Sequence, residues 1–390
     1  MLRNLTRPAR LTTELCQGNV PPRPCARRLR HSRARRLKGV IKYLGSKRTL
    51  LPIIVEAVRA DARARSVLDL FSGTSRVGHA LKHAGFRVVA NDHNAYAHVL
   101  SRCYVEADHG DVTRDAEVLI EECNRLAGRP GYFTQTFCEQ SRFFHPKNGE
   151  RVDAVREHIA ALALPPELEA VMLVSLMEAA DRVDSTTGVQ MAYLKQWAAR
   201  AHNDLAMRLP AVLPRARAGK GRALALDALD AAKAVETDVA YLDPPYNQHS
   251  YLGNYHIWES LVRWDKPSFY GVACKREDVR DRTSRFNSKR QAECALADVL
   301  RSVRARTLVV SFSDEGFVTR EWLEARLGER GAVATIERPY KRYVGAQIGI
   351  YNPGGERVGE PGHLRNREYI FVCGSEATVA RVTQRTKKAG

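Results

Sequence analysis

The sequence predicts an α/β protein: a mostly parallel sheet flanked by helices, with a long helical insertion between two halves of the sheet domain. Three observations point there. Residues 66–70 read as a strand, followed by the small-residue turn Ser72-Gly73-Thr74, a helix opening near Ser75 and a second strand over 87–92. Far downstream, the apolar residues 240–242 lead straight into Asp243-Pro244-Pro245-Tyr246. Between these, apolar residues recur at i, i+3 and i+4 instead of alternating.

Along the chain, residues 1–38 combine scattered prolines with the run Arg33-Ala34-Arg35-Arg36 and no sustained apolar periodicity, so they are expected to form a disordered basic arm. Residues 41–52 join a short apolar segment to an amphipathic helix. Gly45-Ser46-Lys47 between them suits closure over a carboxylate, with Lys47 as counter-ion; a solvated helix start is the alternative. In the turn after the first strand, Gly73 lets the backbone approach a ligand. Asp92, the acid that ends the second strand, is placed to accept from both ribose hydroxyls of a nucleoside. Gly-x-Gly-x-x-Gly is absent, which favours a nucleoside without phosphates over a dinucleotide. A plain turn and a helix-capping Asp92 would explain either piece separately.

Residues 111–126 and 151–164 show helical spacing, and Pro165-Pro166 opens a further apolar helix over 168–180. Within this stretch, residues 140–148 interleave Arg142 and Lys147 with Phe143 and Phe144. They read either as a loop contacting phosphates and bases or as two core aromatics beside solvated cations. The hydroxyl-rich residues 184–188 read as a functional loop or as helix caps. After the tetrapeptide, residues 251–262 form a helix on which Tyr251 and Tyr255 line a base pocket or simply fill the core. Residues 265–290 gather Arg276, Arg280, Arg282, Arg285, Lys289 and Arg290 as phosphate-contact candidates, the rival being an exposed loop. Residues 307–313 and 368–372 are β-rich and complete the sheet, 338–343 add a basic-aromatic patch, and 375–390 show no core pattern and are expected to be a flexible tail.

The tetrapeptide carries the chemistry. An exocyclic amine such as adenine N6 is a poor nucleophile because its lone pair is delocalised into the ring. A carboxylate and a fixed carbonyl accepting its two N–H hydrogens draw the nitrogen toward tetrahedral geometry, freeing the lone pair for a methyl donor. Asp243 supplies the carboxylate, and the two prolines, lacking N–H groups, leave the Pro244 carbonyl as the second acceptor. Tyr246 offers a face for an extracted base to stack on. A strand exit with an Asp cap is the bland alternative.

In this order the motifs resemble the D12 class of N6-adenine DNA methyltransferases, the Dam-like family, from about residue 40 to about residue 373. The resemblance implies the class I S-adenosylmethionine-dependent methyltransferase fold. It divides the chain into cofactor-binding residues 39–105, a target-recognition insertion over 106–220 and a second catalytic half over 221–374. It implies S-adenosyl-L-methionine as cofactor, with Tyr43, Gly45, Ser46 and Lys47 at its methionine end and Asp69, Phe71, Ser72 and Gly73 flooring the pocket. Asp92 would then hold the ribose and Asp227 the adenine, with a helix cap as the alternative for Asp227. Asp243, Pro244, Pro245 and Tyr246 become the catalytic loop, Asp243 also facing the cofactor. Arg142, Lys147, Tyr251, Tyr255, Arg282 and Arg285 are the DNA-contacting candidates. Many relatives carry glycine where Ser75 stands, which puts Ser75 and Arg76 in doubt as pocket residues. Double-stranded DNA is the implied partner, in a restriction-modification or phage-defence setting with a cognate endonuclease or defence subunits. The rivals are an RNA adenine methyltransferase, a cytosine-N4 enzyme, which more often has Ser at the Asp243 position, and a silent DNA-binding subunit, which intact Asp92, Asp243 and Tyr246 oppose.

Composition agrees. The chain of 390 residues has room for a catalytic domain and an insertion, and its net charge of +18 favours a polyanionic partner. Residues 1–38 hold 11 Lys and Arg against one acid, Glu14, a net of +10 that leaves +8 for the rest. That start lacks the apolar stretch of a secretory signal, leaving a nonspecific DNA-binding arm, an over-extended start or a mitochondrial address. No run is apolar enough to span a membrane. The eight cysteines form no Cys-x-x-Cys and have no His at ligand spacing, so free thiols in a reducing cytoplasm and no structural zinc are expected.

Overall fold

Aliphatic and β-branched runs become strands wherever both faces can be covered. The computed structural model describes residues 41–45, 47–341, 350–351, 357–359 and 365–386; the basic arm, Ser46, and Arg342 and Tyr343 of the basic-aromatic patch lie outside them. The strands are β1 (Ser66–Asp69), β2 (Arg87–Asn91), β3 (Arg222–Leu224), β4 (Glu236–Leu242), β5 (Phe269–Tyr270), β6 (Lys275–Arg276), β7 (Arg304–Ser313), β8 (Ala332–Lys341), β9 (Ile350–Tyr351), β10 (Arg357–Gly359) and β11 (Arg365–Gly374). Seven of them form the main sheet in the order β3-β2-β1-β4-β7-β11-β8. The first five in that order pair in parallel, and β11 runs antiparallel to both neighbours, as the expected class I methyltransferase fold requires.

Alternate residues of each strand feed two cores. Leu68, Ala240, Leu242, Leu308 and Val310 point to one face, and Val67, Val88, Val239, Val309 and Ile370 to the other. Register then sets the site. Asp69 pairs with Ala90 on one side and Tyr241 on the other, so Asp92 and Asp243, each two residues past those partners, emerge beside it. Here the chain has stepped outward through β2 and β3 and returns to β4 on the far side of β1, the switch point at which open α/β sheets bind ligands.

The helices His109–Arg125, Pro146–Ala161 and Pro166–Arg182 realise the helical spacing read between residues 111 and 180. They share one core with the helix Ala95–Ser101 and with Tyr255, Ile257, Trp258 and Leu261. The segment after the tetrapeptide therefore packs into the helical layer. It also breaks at Tyr255 into Tyr251–Asn254 and His256–Arg263 instead of running as one helix. Among the described residues no helix is long and apolar enough to cross a membrane.

The expectation of a flexible tail is overturned. Glu376–Thr386 is a helix whose Val382 is fully buried, and Arg381 Nε donates to the Ala60 carbonyl at 2.7 Å. Its apolar positions are too few to register as a stripe; the helix is held by docking against the chain near Ala60, which local spacing does not encode.

Candidate active site

The turn after β1 is held by buried polar contacts. Gly73 adopts φ +50°, and its amide donates to Asp92 Oδ2 at 2.9 Å, while Asn94 N donates to Asp92 Oδ1 at 2.9 Å. Ser75 takes the same left-handed conformation at φ 57°, so the turn closes as tightly as with glycine. Its hydroxyl and that of Ser72 both meet Ser101 Oγ, at 2.7 and 2.8 Å, which offsets part of the backbone cost. Asp69 Oδ2 accepts from Gly78 N at 2.9 Å, whereas Oδ1 is buried with no hydrogen-bond partner among the described residues.

Burial, reinforced by the Asp243 carboxylate, pushes Asp69 up to about 7. Its folded value thus lies above the ordinary carboxylate range, so the stability it contributes is fully present below that range and is lost progressively as pH rises from there to about 7. Asp69→Asn should flatten this dependence. Urea denaturation at about pH 4 and about pH 7 checks it, and an equal loss of stability between the two in parent and variant would exclude Asp69 as the titrating group.

Asp243 follows β4 directly and meets Lys47, whose Nζ lies 3.1 Å from Asp243 Oδ1 and 3.3 Å from Glu368 Oε2. Lys47 is 5 % exposed. Burial alone would lower its pKa, but the two carboxylates overcome this and hold it well above the usual lysine value. One cation shared by two acids leaves an excess of negative charge, and burial pushes both Asp243 and Glu368 upward. The ammonium also stands 5.6 Å from the centre of the Tyr246 ring, which packs edge-on to Phe312. Among the described residues no hydrogen bond engages the Pro244 carbonyl.

Lys47, Asp243 and Pro245 line a cavity of about 410 Å³, whereas Pro244, Tyr246 and Glu368 are not among its walls. Of the expected cofactor residues, Tyr43, Gly45, Lys47, Asp69, Phe71, Ser72, Gly73, Asp92, Asp227 and Asp243 all line it; Ser46 lies outside the described residues. Tyr43 stacks between Tyr251 and Tyr255, with centroids 5.2 and 4.5 Å away, and packs on Gly73, where a Cβ would come within 3.3 Å of its hydroxyl. Asp227 satisfies both readings at once: it caps the helix Ala228–Ala234 through Leu229 N at 2.8 Å and also lines the cavity. Arg76, in doubt from the sequence, lines the cavity too.

The DNA-contacting candidates fare unevenly. Tyr255 is 1 % exposed and accepts from the Leu44 amide at 2.6 Å, so it is corrected from a DNA contact to a wall that positions the Tyr43 segment. Tyr251, Arg282 and Arg285 line the cavity. Arg282 is anchored by fully buried Glu259 at 2.8 Å and Arg285 by Asp298 at 3.2 Å. Arg142 donates to the Lys195 carbonyl and Lys147 pairs with Asp204, away from the cavity, while Phe143 and Phe144 are core. Arg276, grouped with the phosphate contacts, is instead 2 % exposed and paired with Asp265 and Asp278.

Two participants escaped the sequence reading. Phe286 packs edge-on to Phe71 at 5.1 Å and closes the apolar wall with Leu229 and Val299; an aromatic inside an arginine-rich stretch was its only signal. Glu368 was read only as the start of a strand, although a carboxylate opening a buried run is itself unusual.

Comparison with known proteins agrees with this geometry. The chain is 29 % identical over 317 residues to the type II methyltransferase M.NlaIII of Neisseria lactamica, covering 77 % of this chain and 92 % of that protein. It is 28 % identical over 327 residues to the type II methyltransferase M.FokI of Planomicrobium okeanokoites and 26 % over 322 residues to the modification methylase StsI of Streptococcus sanguinis. Of these two it spans about half the length, 50 % and 49 %. Residues 43–324, well over half of the chain, match a family profile, and the chain therefore belongs to the D12 class of N6 adenine-specific DNA methyltransferases.

Proposed function

We propose that this protein transfers a methyl group from S-adenosyl-L-methionine to N6 of an adenine flipped out of double-stranded DNA, at a specific sequence. The observation that carries this reading is the convergence of Asp69, Asp92 and Asp243 on one cavity beside Tyr246. The residues fit the cofactor: Asp69 Oδ1, without a hydrogen-bond partner among the described residues, suits an ammonium, Asp92 retains lone pairs for ribose hydroxyls, and Phe71 and Phe286, packed edge to face, offer an apolar wall for a purine. When bound, S-adenosylmethionine supplies an electrophilic methyl on a sulfonium that leaves as a neutral thioether. The chain aligns the amine: Asp243 and the Pro244 carbonyl accept its hydrogens, and Tyr246 stacks on the base.

The relatives named as type II enzymes support a restriction-modification setting with a cognate endonuclease as partner, in the cytoplasm, where DNA and the methyl donor meet. Residues 106–220 would then contribute the target reader. The direct test incubates the protein with duplex DNA and methyl-labelled S-adenosylmethionine, followed by mass spectrometry of the digested nucleosides. N6-methyl-2′-deoxyadenosine is the expected product. Label in N4-methyl-2′-deoxycytidine, or label only in a parallel incubation with RNA, would overturn the reading.

Asp92→Ala should weaken S-adenosylmethionine binding by about 1–3 kcal/mol, the cost of leaving ribose hydroxyls unpaired. Isothermal titration without DNA measures it. Parental affinity in the variant would remove Asp92 from the site.

A further inference from the structure

Glu368 lies on β11, opposite Ser313 of β7 and Arg338 of β8. It falls beyond residues 43–324 that match the family, yet it reaches the catalytic end of β4 through a lysine 321 residues earlier in the chain. The Lys47 and Glu368 side chains are 5 % and 7 % exposed, whereas that of Asp243 keeps 20 %. Lys47 therefore bridges one carboxylate that faces the cavity and one that does not: Asp243 lines the cavity and Glu368 is absent from its walls.

We propose that Glu368 is a positioning residue for methyl transfer: it holds Lys47 in place beside Tyr246, so that Asp243 can turn from the lysine to the incoming amino group. This rests on the proposed adenine-N6 reading of the cavity. The physical need is plain. While Asp243 is paired with Lys47, its Oδ1 is engaged with an ammonium and is a poorer acceptor for a neutral amine. If Asp243 were the sole partner, its departure would strand a buried charge, and the pair would stay closed. A second carboxylate, itself buried and fixed on a central strand, keeps the ammonium neutralised when the first leaves. An ammonium has three donors, so it holds both acids at rest without losing either.

The groups that titrate around this pair come from every neighbouring element. Tyr241 and Tyr246 face Lys47, Asp314 faces Glu368, and Asp69 and Tyr251 face Asp243. Burial holds Tyr241 and Tyr251 well above the usual phenol value, so the acids set the acid limb of the rate profile.

The test compares single-turnover methylation by the full-length parent, Glu368→Gln and Glu368→Asp across pH, with melting temperatures as a control for folding. In Glu368→Gln, Lys47 belongs to Asp243 alone. The rate should fall about tenfold or more, and the acid limb should move to lower pH because Asp243 has lost a neighbouring negative charge. Glu368→Asp should recover part of the rate. A parental rate, or a lower rate with an unmoved acid limb, would overturn the positioning role. A second measurement needs no methylation: acetic anhydride labelling of Lys47, followed by peptide mass spectrometry. Labelling should be several-fold faster in Glu368→Gln than in the parent, and unchanged labelling overturns the proposal whatever the enzyme methylates. If the parent forms no N6-methyl-2′-deoxyadenosine while labelling responds, the functional reading fails and the Lys47–Glu368 contact stands.

Discussion

Asp243→Asn lowers the single-turnover rate of methyl transfer by about two to four orders of magnitude while DNA binding stays near parental. Asparagine keeps the size and one acceptor oxygen. It loses the negative charge that stabilises positive charge developing on N6, an interaction stronger in the transition state than in the ground state. The partly exposed Asp243 side chain borders the cavity, and Lys47 retains Glu368 as a partner in the variant, so the fold is spared. Rapid quench with labelled S-adenosylmethionine measures the rate, and fluorescence anisotropy measures DNA affinity. A variant as fast as the parent would reduce the tetrapeptide to a strand exit.

Lys47→Met destabilises the protein by about 3–5 kcal/mol near neutral pH, because it leaves two buried carboxylates side by side with no cation. Methionine preserves the apolar stem, so the loss is electrostatic rather than a cavity. Burial already pushes Asp243 and Glu368 upward, and removing the lysine pushes them further in the same direction. A carboxyl whose folded value is raised contributes its stability below the ordinary carboxylate range and loses it as pH rises through the folded value. The defect is therefore largest in mildly alkaline solution and shrinks on acidification. Chemical denaturation at about pH 5 and about pH 8 checks this, and a defect of the same size at both would rule out the charge mechanism.

How far the sequence could be read depended on how local each signal was. The strand ends at Asp69, Asp92 and Asp243 were legible because an apolar run followed by an acid and a turn is written in adjacent residues. The helices of the insertion were legible for the same reason. Arg276 and Arg282 show the limit: both read as phosphate-contact candidates, yet one is locked between two aspartates and the other is held by Glu259 at the border of the cavity. Charge density in a segment says nothing about which arginines find acids in space. Tyr251 and Tyr255 were likewise equivalent on paper, and the helix break between them sends one to the cavity and the other to the core.

The sequence by itself determined the order of the motifs, the family they belong to and the identity of the groups at the ends of β1, β2 and β4, because these depend on short-range patterns of apolar, small and acidic residues. Only the tertiary structure decided that those acids share one cavity, that Ser75 closes its turn in a left-handed conformation, and that the last helix docks near Ala60. It alone also brought Glu368 to Lys47 across 321 residues, through a reversed strand placed between two others. The physical reason is that hydrogen-bond register and side-chain burial are set by which strands pair, and pairing between distant segments leaves no mark on the spacing of residues within either one.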